Sequence, residues 1–126
     1  MPALVVIVED DESVRESLPD LLLEFGYTAR TFASAEEFLA SGAIRDAGCL
    51  ILDIGLPGMS GPELQRELIR RSFSIPAIFI TARADNRIPP GLLEVACLLK
   101  PLGDDELRAA LHIALRDVSP PRISGL

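Results

Sequence analysis

Residues 49–61 read CLILDIGLPGMSG, and the fold follows from how this stretch is divided. Cys49-Leu50-Ile51-Leu52 is an apolar run too short and too β-prone for a helix. It stops at a single carboxylate, Asp53, and then opens into Gly55-Leu56-Pro57-Gly58-Met59-Ser60-Gly61 before helical spacing resumes. A buried strand that ends on a lone acid and a Gly/Pro loop is how an α/β protein presents a reactive side chain at its sheet edge. An acid that merely caps a turn has the same local signature, so the neighbouring segments must decide.

Four other segments read as strands. Leu4-Val5-Val6-Ile7-Val8 is continuous and β-branched, as expected of a strand covered on both faces. Residues 27–32 read as a more polar edge strand, Ala77-Ile78-Phe79-Ile80 as a buried strand ending at Thr81, and Cys97-Leu98-Leu99 as a fifth strand ending at Lys100-Pro101. Helical spacing lies between them. Val14, Leu18, Leu21, Leu22 and Phe25 precede Gly26 at a helix end, with Pro19 inside the pattern. Ser34 and Glu37 stand at capping-box spacing ahead of Phe38 and Leu39, Gly42 closes that helix, and residues 43–48 read as loop. Pro62 suits the first turn of a helix carrying Leu64, Leu68 and Ile69. Asp104 is the expected cap of a helix with Leu107, Ala110, Leu111, Ala114 and Leu115 on its inner side. Strands alternating with helices imply a parallel sheet with helices on both faces and every strand's C-terminal end on one rim.

Composition narrows the function classes. With 126 residues the chain is one domain by size; 12 Lys and Arg against 19 Asp and Glu give a net charge of −7. That charge argues against direct binding of nucleic acid or anionic lipid and favours metal ions or basic protein faces. No apolar run is long enough for a membrane span and no basic leader is evident, so a cytoplasmic location is expected. Cys49 and Cys97 sit in apolar stretches outside any Cys-x-x-Cys pattern and read as small buried hydrophobes.

Four strands end in a chemically capable residue: Glu9-Asp10, Asp53, Thr81 and Lys100. In a doubly wound sheet these ends converge in one crevice. Three carboxylates brought together repel unless a cation neutralises them, and oxygen ligands with no paired His or Cys point to Mg²⁺. Each residue alone has an ordinary explanation: a charged helix start, a strand-end threonine, a turn lysine. Their coincidence at one rim does not.

These motifs resemble the receiver domains of two-component response regulators, the CheY-like family. The likeness is greatest to receivers of the FixJ/NarL type, whose loop pattern D-x-x-M-P-G-M-S-G is close to Asp53 through Gly61. It implies a flavodoxin-like five-stranded sheet of order 2-1-3-4-5. By resemblance Asp53 is the phosphoacceptor, Asp10 and Asp53 ligate Mg²⁺ directly, Glu9 assists through water, and the Gly55 carbonyl adds an oxygen. Thr81 and Lys100 would bind the phosphoryl group, the Lys100-Pro101 bond would be cis, and Asp11 would lie outside the ligand set. The implied partners are a sensor histidine kinase or phosphotransfer protein and a downstream protein target or C-terminal effector domain, with a homodimer as a further possibility. His112 reads as a helix-surface residue, so the donor histidine is expected from another protein.

The chain also departs from the family pattern. Cys97 stands where receivers carry an aromatic switch, Leu102 where they carry Phe, and the interval from Thr81 to Lys100 is short and holds Pro89-Pro90. The helix between the fourth and fifth strands is therefore expected to be short or irregular. A receiver at 1–118 with a flexible tail or linker start at 119–126 follows, either working alone or continuing into a longer regulator. Such a domain is not an enzyme beyond its own Mg²⁺-assisted phosphorylation and dephosphorylation. The alternative is a degenerate receiver serving as a phosphorylation-independent scaffold. A phosphatase of the aspartyl-phosphate type would want a second Asp where Gly55 stands.

Overall fold

The computed structural model describes residues 3–85 and 87–116. Strands β1 (Leu4–Val8), β2 (Thr28–Phe32), β3 (Ala47–Asp53), β4 (Ala77–Thr81) and β5 (Glu94–Leu99) form one parallel sheet in the order β2-β1-β3-β4-β5. Helices α1 (Glu12–Glu24), α2 (Ala35–Ser41), α3 (Gly61–Arg70) and α4 (Asp104–Arg116) cover its two faces. The expected sheet and strand order are thus present.

Alternate strand residues feed two cores. Val6, Val8, Leu50, Leu52 and Phe79 pack with Phe38 of α2 and with Leu64 and Leu68 of α3. On the opposite face Val5, Ile7, Ile51, Ile78 and Ile80 pack with Leu18 and Leu22 of α1 and with Leu107, Leu111 and Ala114 of α4. Because β1, β3 and β4 are covered on both sides, their sequences are apolar throughout rather than alternating. The edge strand β2 is half exposed and correspondingly more polar.

Local sequence explains most helix ends, with some differences from expectation. Asp11 caps α1, its carboxylate accepting from the Ser13 amide at 2.9 Å. The Ser34 hydroxyl accepts from the Glu37 amide at 3.1 Å, but Glu37 reaches the Ala33 amide (3.4 Å) instead of closing the box on Ser34. The complete capping box is at Ser60 and Glu63, ahead of α3. Residues read as loop after Gly42 form a 3₁₀ turn, Ala43–Asp46, and β3 already begins at Ala47. Asp104 is the first residue of α4 rather than its cap, and the Leu107 amide donates to the Gly103 carbonyl at 3.0 Å. The expected tail at 119–126 and the domain end at 118 lie outside the described residues.

The largest departure lies between β4 and β5. An irregular helix was expected; among the described residues of 82–93 there is none, because two adjacent prolines remove two helical donors and clash with the preceding turn. β5 starts at Glu94, three residues before Cys97, since no helix consumes the apolar residues after Gly91. With no helix among the described residues of that link to cover it, Cys97 is exposed, contrary to the buried reading, and Leu93 and Leu99 are exposed beside it. Cys49 is buried as expected, and desolvation pushes its thiol up to about 12. Partial burial and the Glu94 charge also hold the Cys97 thiol above its ordinary value. A thiol reagent at mildly alkaline pH is therefore expected to label one cysteine of the native chain, Cys97. Cys49 should react on the order of 10³-fold more slowly, with unfolding. Peptide mapping reads the result; two equally fast thiols would contradict the burial of Cys49.

Candidate functional site

The C-terminal ends of β1, β3 and β4 and the residue after β5 meet at one rim, as parallel topology requires. Glu9 follows β1 and is fully buried, with its amide donating to the Phe32 carbonyl at 3.0 Å. Its Oε2 accepts from the Asp11 amide at 3.0 Å, and Arg15 Nη1 donates to its carbonyl at 2.9 Å. These contacts fix the turn and leave the next residue, Asp10, exposed at the mouth. Asp53 ends β3 almost buried, and its Oδ1 accepts from the Gly55 amide at 3.0 Å.

Lys100 joins the acids. Its Nζ lies 3.2 Å from Asp53 Oδ2, as a hydrogen bond, and 2.7 Å from Glu9 Oε1, as an ion pair. The second contact lacks hydrogen-bond alignment, so Glu9 Oε1 is buried without an aligned donor. Lys100 is delivered by the backbone: its amide donates to the Thr81 carbonyl at 2.7 Å, and Lys100-Pro101 is cis. Thr81 ends β4 buried, and its hydroxyl accepts from the Arg83 amide at 3.0 Å. That bond ties the start of the β4–β5 link to the rim.

Electrostatics at the rim is under tension. Desolvation pushes Glu9 up to about 7; the Lys100 contact opposes this, and the neighbouring Asp53 adds to it. Burial pulls the Lys100 ammonium down, but the Glu9 and Asp53 carboxylates outweigh it and hold it above its ordinary value. The chain's own lysine therefore only partly compensates the acids. One carboxylate oxygen each from Glu9, Asp10 and Asp53 lie within 4.8 Å of one another, a spacing that suits a shared cation. Three clustered carboxylates facing one ammonium, an all-oxygen donor set, fit Mg²⁺ or a similar hard ion.

The sequence-derived residues Glu9, Asp10, Asp53, Thr81 and Lys100 are thus gathered at one rim, and Gly55 bonds to Asp53 through its amide. Arg15 and Asp11 were not foreseen as contributors. Asp11 is visible in hindsight as a cap position, whereas Arg15 depends on how α1 leans over the β1 turn.

Comparison with known proteins agrees with this geometry. The family model described as "Response regulator receiver domain" matches residues 5–112. Nodulation protein W of Bradyrhizobium diazoefficiens is 41% identical over 115 residues, 89% of this chain and 51% of that protein. Response regulator protein TmoT of Ectopseudomonas mendocina is 33% identical over 117 residues, 90% of this chain and 53% of that protein. The solved response regulator StyR superposes with a TM-score of 0.85 at 38% identity, covering 92% of this chain and 60% of that one. The chain thus spans about half the length of the relatives it matches.

Proposed function

The chain belongs to the response regulator receiver domain family, and we propose that it accepts a phosphoryl group on Asp53 from the phosphohistidine of a sensor kinase or phosphotransfer protein. The observation that carries this is the setting of Asp53: nearly buried, held between the Gly55 amide and Lys100, with Glu9 and Asp10 within cation-sharing distance. One Asp53 oxygen attacks phosphorus as the P–N bond of the donor breaks, and the imidazole leaves with the electron pair and takes up a proton. Lys100 and the Thr81 hydroxyl donate to the phosphoryl oxygens, which requires Thr81 to turn its hydroxyl proton away from the Arg83 carbonyl, 3.3 Å away. Glu9, Asp10, Asp53 and the Gly55 carbonyl would hold Mg²⁺. When bound, the ion supplies positive charge against the phosphoryl oxygens and the crowded carboxylates.

The test is incubation of the chain with Mg²⁺ and a small acyl phosphate, followed by intact-mass and peptide analysis. One phosphoryl group on Asp53 is expected. Replacing Asp10 with Ala (Asp10→Ala) removes the exposed carboxylate of the cluster. It should weaken Mg²⁺ affinity by at least about tenfold, the size expected for a lost ligand-sphere contact, as read by titration calorimetry. Unchanged affinity would refute the ligand assignment.

A scaffold reading has its own observation. The link between β4 and β5 has no helix among its described residues, and an exposed Cys97 pairs with Phe79 where family members place an aromatic switch. Failure of the wild-type chain to take up phosphate from several donors would select it. Several relatives are named transcriptional regulatory proteins and are about twice as long. We therefore read the output as passing to a protein target or effector region, with the −7 charge disfavouring nucleic-acid contact by this domain itself. Among the described residues no helix is long and apolar enough to cross a membrane.

A further inference from the structure

Four buried polar side chains occur among the described residues, and three of them, Glu9, Asp53 and Thr81, form the rim site. The fourth, Gln65, lies on α3 and faces the starts of β4 and β5. Its Nε2 donates to the Ile75 carbonyl at 2.9 Å and to the Leu93 carbonyl at 3.4 Å. Its Oε1 accepts from the Leu93 amide at 3.1 Å. The Leu93 carbonyl also receives the Ala77 amide at 2.9 Å. One buried carboxamide therefore grips both backbone groups of Leu93 and ties α3 to the residues that lead into two strands. Burying an amide is unfavourable unless it is paired, and once paired it is directional in a way that an apolar residue is not.

We propose that Gln65 takes over the task of the absent crossover helix: it sets where the chain re-enters the sheet, and so the register of β5 that brings Lys100 to Asp53. In a parallel crossover the helix normally fixes that point by packing. Among its described residues the link 82–93 has only Ile88 and Leu92 against the core. Among the described residues β5 pairs with β4 alone, and their pairing already shifts, Ala77 facing Glu94 but Ile78 facing Ala96, so that Val95 is an extra residue. Removing or moving that irregularity slides the strand by one residue and turns each side chain to the other face. Leu99 or Pro101 would then stand where Lys100 does. Gln65 selects among these registers because it holds the residue immediately before Glu94. It is a positioning residue, acting on Asp53 only through Lys100, and its role in phosphorylation rests on the reading of Asp53 as the acceptor.

The test compares the wild-type chain with Gln65→Met, similar in size but unable to hydrogen-bond, well below the variant's unfolding midpoint. Amide exchange at Leu93 and Lys100, Mg²⁺ affinity and the rate of Asp53 phosphorylation by an acyl phosphate are measured. Exchange at both amides should rise, and phosphorylation should slow, by at least about tenfold, the size of a single one of the three hydrogen bonds that the variant loses. Mg²⁺ affinity should not fall by more than about twofold, because its ligands lie at and just after the ends of β1 and β3, outside the altered register, and a displaced Lys100 no longer competes for Glu9 and Asp53. A lower midpoint with wild-type Lys100 exchange and wild-type phosphorylation would overturn the proposal. If the wild type takes up no phosphate, the functional reading falls, while the two exchange rates still judge the clasp. Gln65→Glu covers the case in which Gln65→Met does not fold. Its protonated carboxyl keeps one donor and one acceptor, so protection at Leu93 and Lys100, normalised to wild type, should recover as pH is lowered. No recovery would count against the clasp.

Discussion

Asp53→Asn should abolish phosphoryl uptake while leaving the fold intact, and the separation of these two outcomes gives the substitution its value. Asparagine keeps an Oδ1 acceptor for the Gly55 amide, which is 3.0 Å away, so the β3–α3 turn retains its internal bond. Lys100 loses one anion but keeps Glu9, 2.7 Å from its Nζ. In chelator, stability should stay within about 1 kcal/mol of wild type or rise slightly, because one of three crowded carboxylates has become neutral. An amide is not a competent nucleophile toward phosphorus, so incorporation should vanish rather than slow. Wild-type stability should increase with Mg²⁺ by mass action, and most of that gain should disappear in the variant, which has lost a charged ligand. Intact mass after acyl phosphate treatment, with thermal melts in chelator and in Mg²⁺, reads both effects. Continued incorporation at wild-type level would place the acceptor elsewhere and remove the basis of the proposed function.

How far the sequence led depends on whether a feature is local. The ends of β1, β3 and β4 were legible because a doubly covered strand is an unbroken apolar run, and Glu9, Asp53 and Thr81 each interrupt one. Once the topology was inferred, convergence of those residues with Lys100 followed from parallel geometry alone. The β5 boundary was not legible: apolar residues after Gly91 carry neither a period of two nor one of 3.6, so nothing local marks Glu94 as the start. Pro89-Pro90 announced an irregular link but not what replaces a helix. That replacement is a tertiary contact between Gln65 and Leu93, 28 residues apart, from a position that reads as one more residue on an amphipathic helix. The exposure of Cys97 follows from the same absent cover. The capping box at Ser60 and Glu63 is a different kind of miss, since its spacing is written in the sequence as plainly as that of Ser34 and Glu37.

Gly61→Ala should be the most damaging small substitution in the β3–α3 loop. A Cβ built on Gly61 would lie 2.5 Å from the Asp53 carbonyl oxygen, 3.2 Å from its carbonyl carbon and 3.3 Å from Leu52 Cβ. All three belong to the end of β3 or its adjoining backbone, so no flexible side chain can swing away. Retreat of α3 is opposed as well, because its start is held by the Ser60–Glu63 capping box, by Pro62 in the first turn, and by Leu64 and Leu68 in the core. Overpacking of this kind costs about 3 kcal/mol, at the upper end of the usual range, a loss of roughly 10 °C in midpoint for a domain of this size. The displaced group is the backbone of Asp53 itself, so Mg²⁺ affinity and phosphorylation should fall even where the variant is folded. Gly55→Ala provides the contrast within the same loop: the nearest atom to its Cβ is Asp53 Oδ1 at 3.9 Å, an ordinary contact. That variant should melt within a few degrees of wild type, the usual range for a change that meets no obstacle. It should also still take up phosphate, because the Gly55 backbone that bonds Asp53 is unchanged. Equal melting of the two variants would show that α3 can shift without disturbing Asp53. The close approach at Gly61 would then not be what fixes the acceptor in place.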